Sequence, residues 1–213
     1  MINELILFGF SGSGKSTIAN LISEKYGLRV IHPSGILRDL YEGKIIDIHN
    51  TRHNTGYWER DEGVKLFKSR LNDEEPLDVV SDKILMSEIK QGNVVIDSWS
   101  LPWLTDIGIK IYLKADLDVR AKRVSKRSNI DYGKAKEIVF MKDNETTKLF
   151  KRLYGFDISQ DHRVFNYIIN TNTLTENKVC ALVCDYFKNQ KWLTNKKTRI
   201  NKYIKTKKHL FIL

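Results

Sequence analysis

Residues 4–16 read ELILFGFSGSGKS. An apolar run, Leu5 to Phe8, stops at Gly9, and Gly12 and Gly14 follow before a lysine and a serine. The run is short and bounded by a glycine turn, so it reads as a buried strand over Glu4–Gly9. Beyond it Ile18, Ala19, Leu21 and Ile22 recur at helical spacing, which predicts a helix over Lys15–Lys25, ended by Gly27. The pattern G-x-x-x-x-G-K-[ST], from Gly9 to Ser16, thus lies between a strand and a helix, the context that gives it meaning. Glycines let the backbone curl until successive N–H groups point at one place. The helix N-terminus adds a favourable dipole for an anion. Such a loop cradles a triphosphate. Gly12, Ser13, Gly14, Lys15, Ser16 and Thr17 are the candidate binding residues. Lys15 is expected to reach the β- and γ-phosphates, and the Ser16 hydroxyl to coordinate Mg²⁺. The expected cofactors are ATP and Mg²⁺.

The remaining apolar runs predict strands at Leu28–His32, Asn93–Asp97, Ile109–Leu113 and Tyr167–Asn170. Helical patterns lie between them near Asp78–Lys90, Leu117–Lys126 and Asp131–Leu153, with a last one near Glu176–Phe187. Strands alternating with helices make a parallel sheet covered on both faces. The expected fold class is α/β, a three-layer P-loop NTPase fold with an open five-stranded parallel sheet.

Composition removes other classes. The 213 residues suffice for one such domain, and 41% of them are hydrophobic. No apolar run approaches the roughly 18 residues of a membrane helix, and the first leads straight into the glycine loop. A cytoplasmic location is expected. Two cysteines, Cys180 and Cys184, read as small core residues on one helix face. The net charge of +10 belongs to the end of the chain. Residues 190–213 hold eight of the 36 basic residues and none of the 26 acidic ones, leaving 28 against 26 elsewhere. GTPase signatures N-K-x-D and D-x-x-G are absent from the sequence. One P-loop in a small domain points to a small-molecule kinase.

Six stretches carry a family resemblance: GFSGSGKSTIANLISEKYGL, PSGILRDL, GNVVIDSW, IYLKADLDVRAKRVSKR, KRLYGFDIS and YIINT. In this order and spacing, residues 2–189 resemble nucleoside monophosphate kinases, and among them archaeal cytidylate kinases. The resemblance implies a kinase domain over 1–189, an acceptor-binding segment over about 33–78, a lid over about 127–155, and a separate basic tail, 190–213. It implies that Ser34 and Arg38 bind the acceptor phosphate. It places Arg123 and Arg127 on the helix entering the lid, Arg123 toward the nucleotide and Arg127, with Lys15, as catalytic. They are four apart and share one helix face. The plainer alternative is a solvated basic face with Arg120 and Lys126. Asp97 closes the third strand at the edge where ligands bind in open α/β sheets. It suits a Mg²⁺-bound water or the acceptor, or simply caps a helix.

The acceptor site departs from the family. Trp99, Lys142 and Leu149 stand where cytidylate kinases have arginines. Arginine offers phosphate a planar fork, lysine a point charge, and the other two no charge. Residues 50–63, NTRHNTGYWERDEG, place Arg52, His53 and Arg60 beside Tyr57 and Trp58. Aromatics mixed with bases suit stacking on a nucleobase and holding a phosphate, so this stretch and Trp99 are expected to rebuild the pocket. The alternative is an exposed loop followed by a helix start. Arg152 could replace the charge lost at Leu149. The leading expectation is a monomeric ATP:nucleoside monophosphate kinase favouring CMP or dCMP. The alternatives are a kinase of another small acceptor and an ATP-binding regulatory or RNA-associated protein. For the tail, contact with nucleic acid, contact with an anionic surface and docking on the body all stay open.

Overall fold

The computed structural model describes residues 4–48, 56–71, 73 and 76–190. The expectations for Arg52, His53 and residues 191–213 lie outside the described residues. Five strands, β1 (Glu4–Phe8), β2 (Arg29–Ile31), β3 (Val94–Asp97), β4 (Ile109–Lys114) and β5 (Tyr167–Asn170), form one parallel sheet in the order β2-β3-β1-β4-β5. Leu5, Ile6, Leu7 and Phe8 are all fully buried. A strand covered on both faces needs no polar alternation.

Each face has its own helical layer. On one, Leu5, Leu7, Val95 and Ile111 pack with Ile18, Ala19 and Ile22 of α1 (Lys15–Tyr26). The last helix, 176–190, adds Val183, Cys184 and Phe187 to this layer. On the other face, Ile6, Ile31 and Ile96 meet Ile36 of α2 (Pro33–Tyr41) and Leu85 and Ile89 of α4 (Leu77–Gln91). At the carboxyl end of β1 an aromatic cluster gathers. Phe8 stacks on Phe165 with ring centroids 5.1 Å apart and meets Tyr112 edge-on at 4.9 Å. Leu149 and Phe150 of α7 (Tyr132–Tyr154) join it. α6 (Leu117–Ser128) packs along α7 through Val124, Ala135 and Val139.

Two helices lie where the sequence predicts none, α2 and α5 (Leu101–Leu104), and a third, α3 (Asp61–Ser69), begins where the alternative reading of residues 50–63 has a helix start. Each is short, and each depends on tertiary support that periodicity cannot show. α2 is started by Pro33 in its first turn, where a missing N–H does no harm. One charge expectation needs correction. Leu149 is buried in the aromatic cluster, whereas Arg152 is exposed and does not line the cavity described below, so it does not stand in for a charge at Leu149.

Candidate active site

β1 is central, and its two neighbours, β3 and β4, are reached by crossovers on opposite sides. This is the switch point where open α/β sheets bind ligands. The glycine loop leaves β1 at that edge. Gly12 has φ 79° and Gly14 φ 99°, values that L side chains rarely adopt. A Cβ at Gly12 would also stand 2.7 Å from the Arg120 carbonyl. The loop closes with Ser13 N–H donating to the Phe10 carbonyl at 3.0 Å. α1 then starts at Gly14 with no side-chain cap and no acid in its first turn. Its first N–H groups are left for an anion.

Lys15 Nζ donates to the Gly9 carbonyl at 2.6 Å and lies 5.5 Å from the Trp99 ring centroid. Burial pushes its pKa down to about 8; Asp97 and Asp143 oppose the shift, and Arg120 and Arg127 add to it. A lysine short of negative partners suits an anionic ligand.

Register brings the next group in. Leu7 pairs with Asp97, so the end of β3 lies beside the loop. Ser16 Oγ donates to Asp97 Oδ2 at 2.5 Å, and His32 Nδ1 lies 3.0 Å from the same oxygen. His32 Nε2 lies 3.0 Å from Asn20 Oδ1. Burial alone would raise the Asp97 carboxyl. The His32 hydrogen bond and charge, Lys15 and Ser16 outweigh it and hold Asp97 below the usual carboxylate range. A hydroxyl and an ionised carboxylate side by side are hard oxygen donors, the kind Mg²⁺ takes in ones and twos beside phosphate and water. Among the described residues, no group of three or more His, Cys, Asp or Glu gathers to hold a metal alone. The donor set therefore fits Mg²⁺ bound together with a nucleotide.

The basic face of α6 is only partly solvated: Lys126 and Arg127 are exposed, Arg123 is half-buried, and Arg120 lies inside. Arg120 is buried, donating to the Ser11 carbonyl at 3.1 Å and to Asp143 Oδ2 at 2.6 Å, so it braces the loop against α7. Arg123 donates to the Thr171 carbonyl at 2.6 Å. Arg127 pairs with Glu59 at 3.1 Å, and Lys142 of α7 pairs with the other oxygen of Glu59 at 2.7 Å.

One cavity of about 940 Å³ joins these groups. Its lining includes Gly12, Gly14, Lys15, Ser16 and Thr17 of the loop and α1, with Asp97, Trp99, Arg123 and Arg127. Ser34, Trp58, Lys142, Arg70, Asp78 and Ser81 line it too. Arg70 Nη1 holds Asp78 at 3.1 Å and Nη2 holds Thr146 at 2.9 Å. Arg70 Nε, Asp78 Oδ2 and Ser81 Oγ are buried without a hydrogen-bond partner. Asp82 accepts from Ser100 at 2.5 Å and from Tyr154 at 2.7 Å, and burial pushes its carboxyl up to about 6.

Most sequence-predicted residues thus meet in one place. Ser13 is buried and borders a smaller cavity beside Arg123. Arg38 turns to Asp39 at 2.9 Å and lies over the Tyr57 ring, outside the cavity lining. Arg60 is exposed before α3 and does not line the cavity either. The sequence reading missed Glu59, Arg70, Asp78, Ser81 and Asp82. A signal existed for the last three: polar residues at 78, 81 and 82 interrupt one face of a helix that is otherwise apolar there.

Comparison with known proteins agrees with this geometry. The chain is 33% identical over 187 residues to a cytidylate kinase of Sulfolobus acidocaldarius, covering 84% of this chain and 91% of that one. It is 29% identical over 169 residues to one from Ignicoccus hospitalis, covering 78% and 88%. In fold it is similar to shikimate kinase from Bacteroides thetaiotaomicron, with a TM-score of 0.53 at 16% identity over 87% of this chain and 98% of that one. These are P-loop kinases, and the sheet and glycine loop described above are of their kind. Residues 7–173 match the cytidylate kinase-like family, and the chain belongs to that family of phosphotransferases.

Proposed function

We propose that the protein transfers the γ-phosphate of Mg²⁺-ATP to the phosphate of a nucleoside monophosphate, with CMP and dCMP preferred. One observation carries the reading: a single cavity is lined by the glycine loop, by Asp97, by the cations of α6 and α7 and by the buried polar group Arg70, Asp78 and Ser81. Two substrates can lie in it together.

The loop N–H groups and Lys15 bind the β- and γ-phosphates. Ser16 and Asp97 hold Mg²⁺, which offsets charge on those phosphates when bound. Arg123 lies on the nucleotide side; Arg127 and Lys142 face the phosphoryl in transit. An oxygen of the acceptor phosphate bonds to the γ-phosphorus, and the bond to the β–γ bridging oxygen breaks, leaving ADP. The attacking oxygen is already anionic, so no general base is required. Catalysis is positioning and charge.

The polar group around Asp78 favours cytosine. Arg70 Nε is a free donor, Asp78 Oδ2 a free acceptor, and Ser81 Oγ serves as either. Cytosine offers an amino donor, matched by a carboxylate, beside ring acceptors, matched by an arginine. Trp58 and Phe67 line the same cavity and supply apolar surface for a ring. Absence of arginine at Trp99 favours a second reading, a kinase whose small acceptor is not a nucleotide. The discriminating experiment incubates the protein with Mg²⁺-ATP and each monophosphate separately and follows ADP and diphosphate by chromatography. Diphosphate from CMP or dCMP is the expected result. No diphosphate from any monophosphate, with ATP still bound, would overturn the reading.

A further inference from the structure

Glu59 is a buried acid set between two cations, Arg127 and Lys142. It ends a short 3-10 turn, Tyr57–Glu59, in the acceptor segment, and is 4% exposed. Its Oε1 accepts from Lys142 Nζ at 2.7 Å. Its Oε2 meets Arg127 Nη2 at 3.1 Å and accepts from Ser128 Oγ at 3.4 Å. All three partners lie in α6 or α7, on the lid side. Burial would raise this carboxyl, but Lys142 and Arg127 more than reverse that and keep it ionised. Lys142 is itself pushed down by burial, with Glu59 as its chief counterweight.

The turn is set there by backbone. Gly56 enters it at φ 81°, and its absent Cβ would stand 3.5 Å from Ser128 Oγ. Gly63 of α3 lies so close that a Cβ would be 2.1 Å from the Tyr57 carbonyl. The acceptor segment therefore carries its own anion into the cavity. Two carboxylate oxygens, two cations and a hydroxyl reproduce the contacts of a bound phosphate. A phosphoryl group seated between Arg127 and Lys142 would lie against the Glu59 carboxylate, and two anions at contact repel, so the seat holds one of them at a time.

We propose that Glu59 is a positioning residue that holds Arg127 and Lys142 together as a preformed anion seat and yields the seat to a substrate phosphate. This rests on the reading of those two cations as phosphate ligands. Acceptor binding then releases the turn from the lid side, so seating a phosphate and freeing the acceptor segment are one event. Until then the carboxylate keeps two like charges from facing each other unscreened.

The test is Glu59→Gln, which keeps the shape and removes the competing charge. Each protein is melted with and without inorganic pyrophosphate, and its KM for CMP is measured beside kcat. Without ligand, Glu59→Gln should melt below wild type, because buried Lys142 and the partly exposed Arg127 lose their anion. Pyrophosphate should raise its melting temperature more than it raises that of wild type. KM for CMP should fall about fivefold, with kcat changing less than KM does. Glu59→Asp, which keeps the charge, should bring the pyrophosphate shift and KM back toward wild type. If Glu59 instead stays on the cations as a fixed bracket, KM rises in Glu59→Gln and pyrophosphate stabilises it no more than wild type; that result overturns the proposal. The pyrophosphate melt needs no turnover. Wild type that makes no diphosphate sinks the kinase reading, while the melts still decide on Glu59.

Discussion

Lys15 shows what burial at the glycine loop does to an amine. Burial disfavours its charge and pushes its pKa from 10.5 down to about 8 in the fold. Between these values the unfolded chain holds more protons, so stability rises with pH through that window. Below pH 8 the charge is a liability. The amine opens onto the cavity, so solvent screens part of the cost and leaves about 1–2 kcal/mol. Lys15→Met should therefore melt higher than wild type at pH 7 and lose that advantage as pH climbs from 8 to 10.5. Phosphoryl transfer should fall on the order of 10²–10³-fold. Melts across pH and a turnover assay on the same samples check both. Asp78 makes the complementary case for specificity. Its free oxygen matches the amino group of cytosine, whereas uracil presents a carbonyl there. Asp78→Asn should shift the ratio of kcat/KM for UMP over CMP upward by about tenfold; an unchanged ratio would place the base elsewhere.

Elements explain why some of this could be read from sequence and some could not. All five strands stand within two residues of where their apolar runs place them. The central ones are buried on both faces and so show runs of mostly apolar side chains. The long helices α1, α4, α6 and α7 announce themselves by periodicity and by their closing turns. The loop was legible for a stronger reason: the glycines at 12 and 14 are demanded by backbone angles that few other residues tolerate. The acceptor side resists such reading. Glu59 and Lys142 are 83 residues apart, and Arg70 and Thr146 are 76 apart. No local pattern links them, and Arg120, three residues from Arg123, looks like solvated surface until the Ser11 carbonyl is placed against it. The contact between the turn 57–59 and α3 can be tested at this scale. Gly63→Ala would drive a methyl into the Tyr57 carbonyl, backbone that cannot swing aside. The turn should lift from α3, at a cost of about 1–3 kcal/mol by chemical denaturation.

At the scale of the whole molecule, the sheet order explains how distant parts of the chain reach one edge. β1 lies between β3 and β4 and does not pair with β2, the strand that follows it in sequence. The same topology sets the timing of birth. The middle strand, Glu4–Phe8, leaves the ribosome first, yet its partners are Val94–Asp97 and Ile109–Lys114. At about 5–20 residues per second, the most apolar strand of the protein waits several seconds for its first hydrogen-bonded companion. Such long-range parallel pairing is slow and leaves sticky backbone uncovered meanwhile. The arrangement that gathers loop, carboxylate and cations at one edge therefore makes the newborn chain depend on its own later half, and its yield in a cell is set as much by what shelters those first residues during synthesis as by the finished fold.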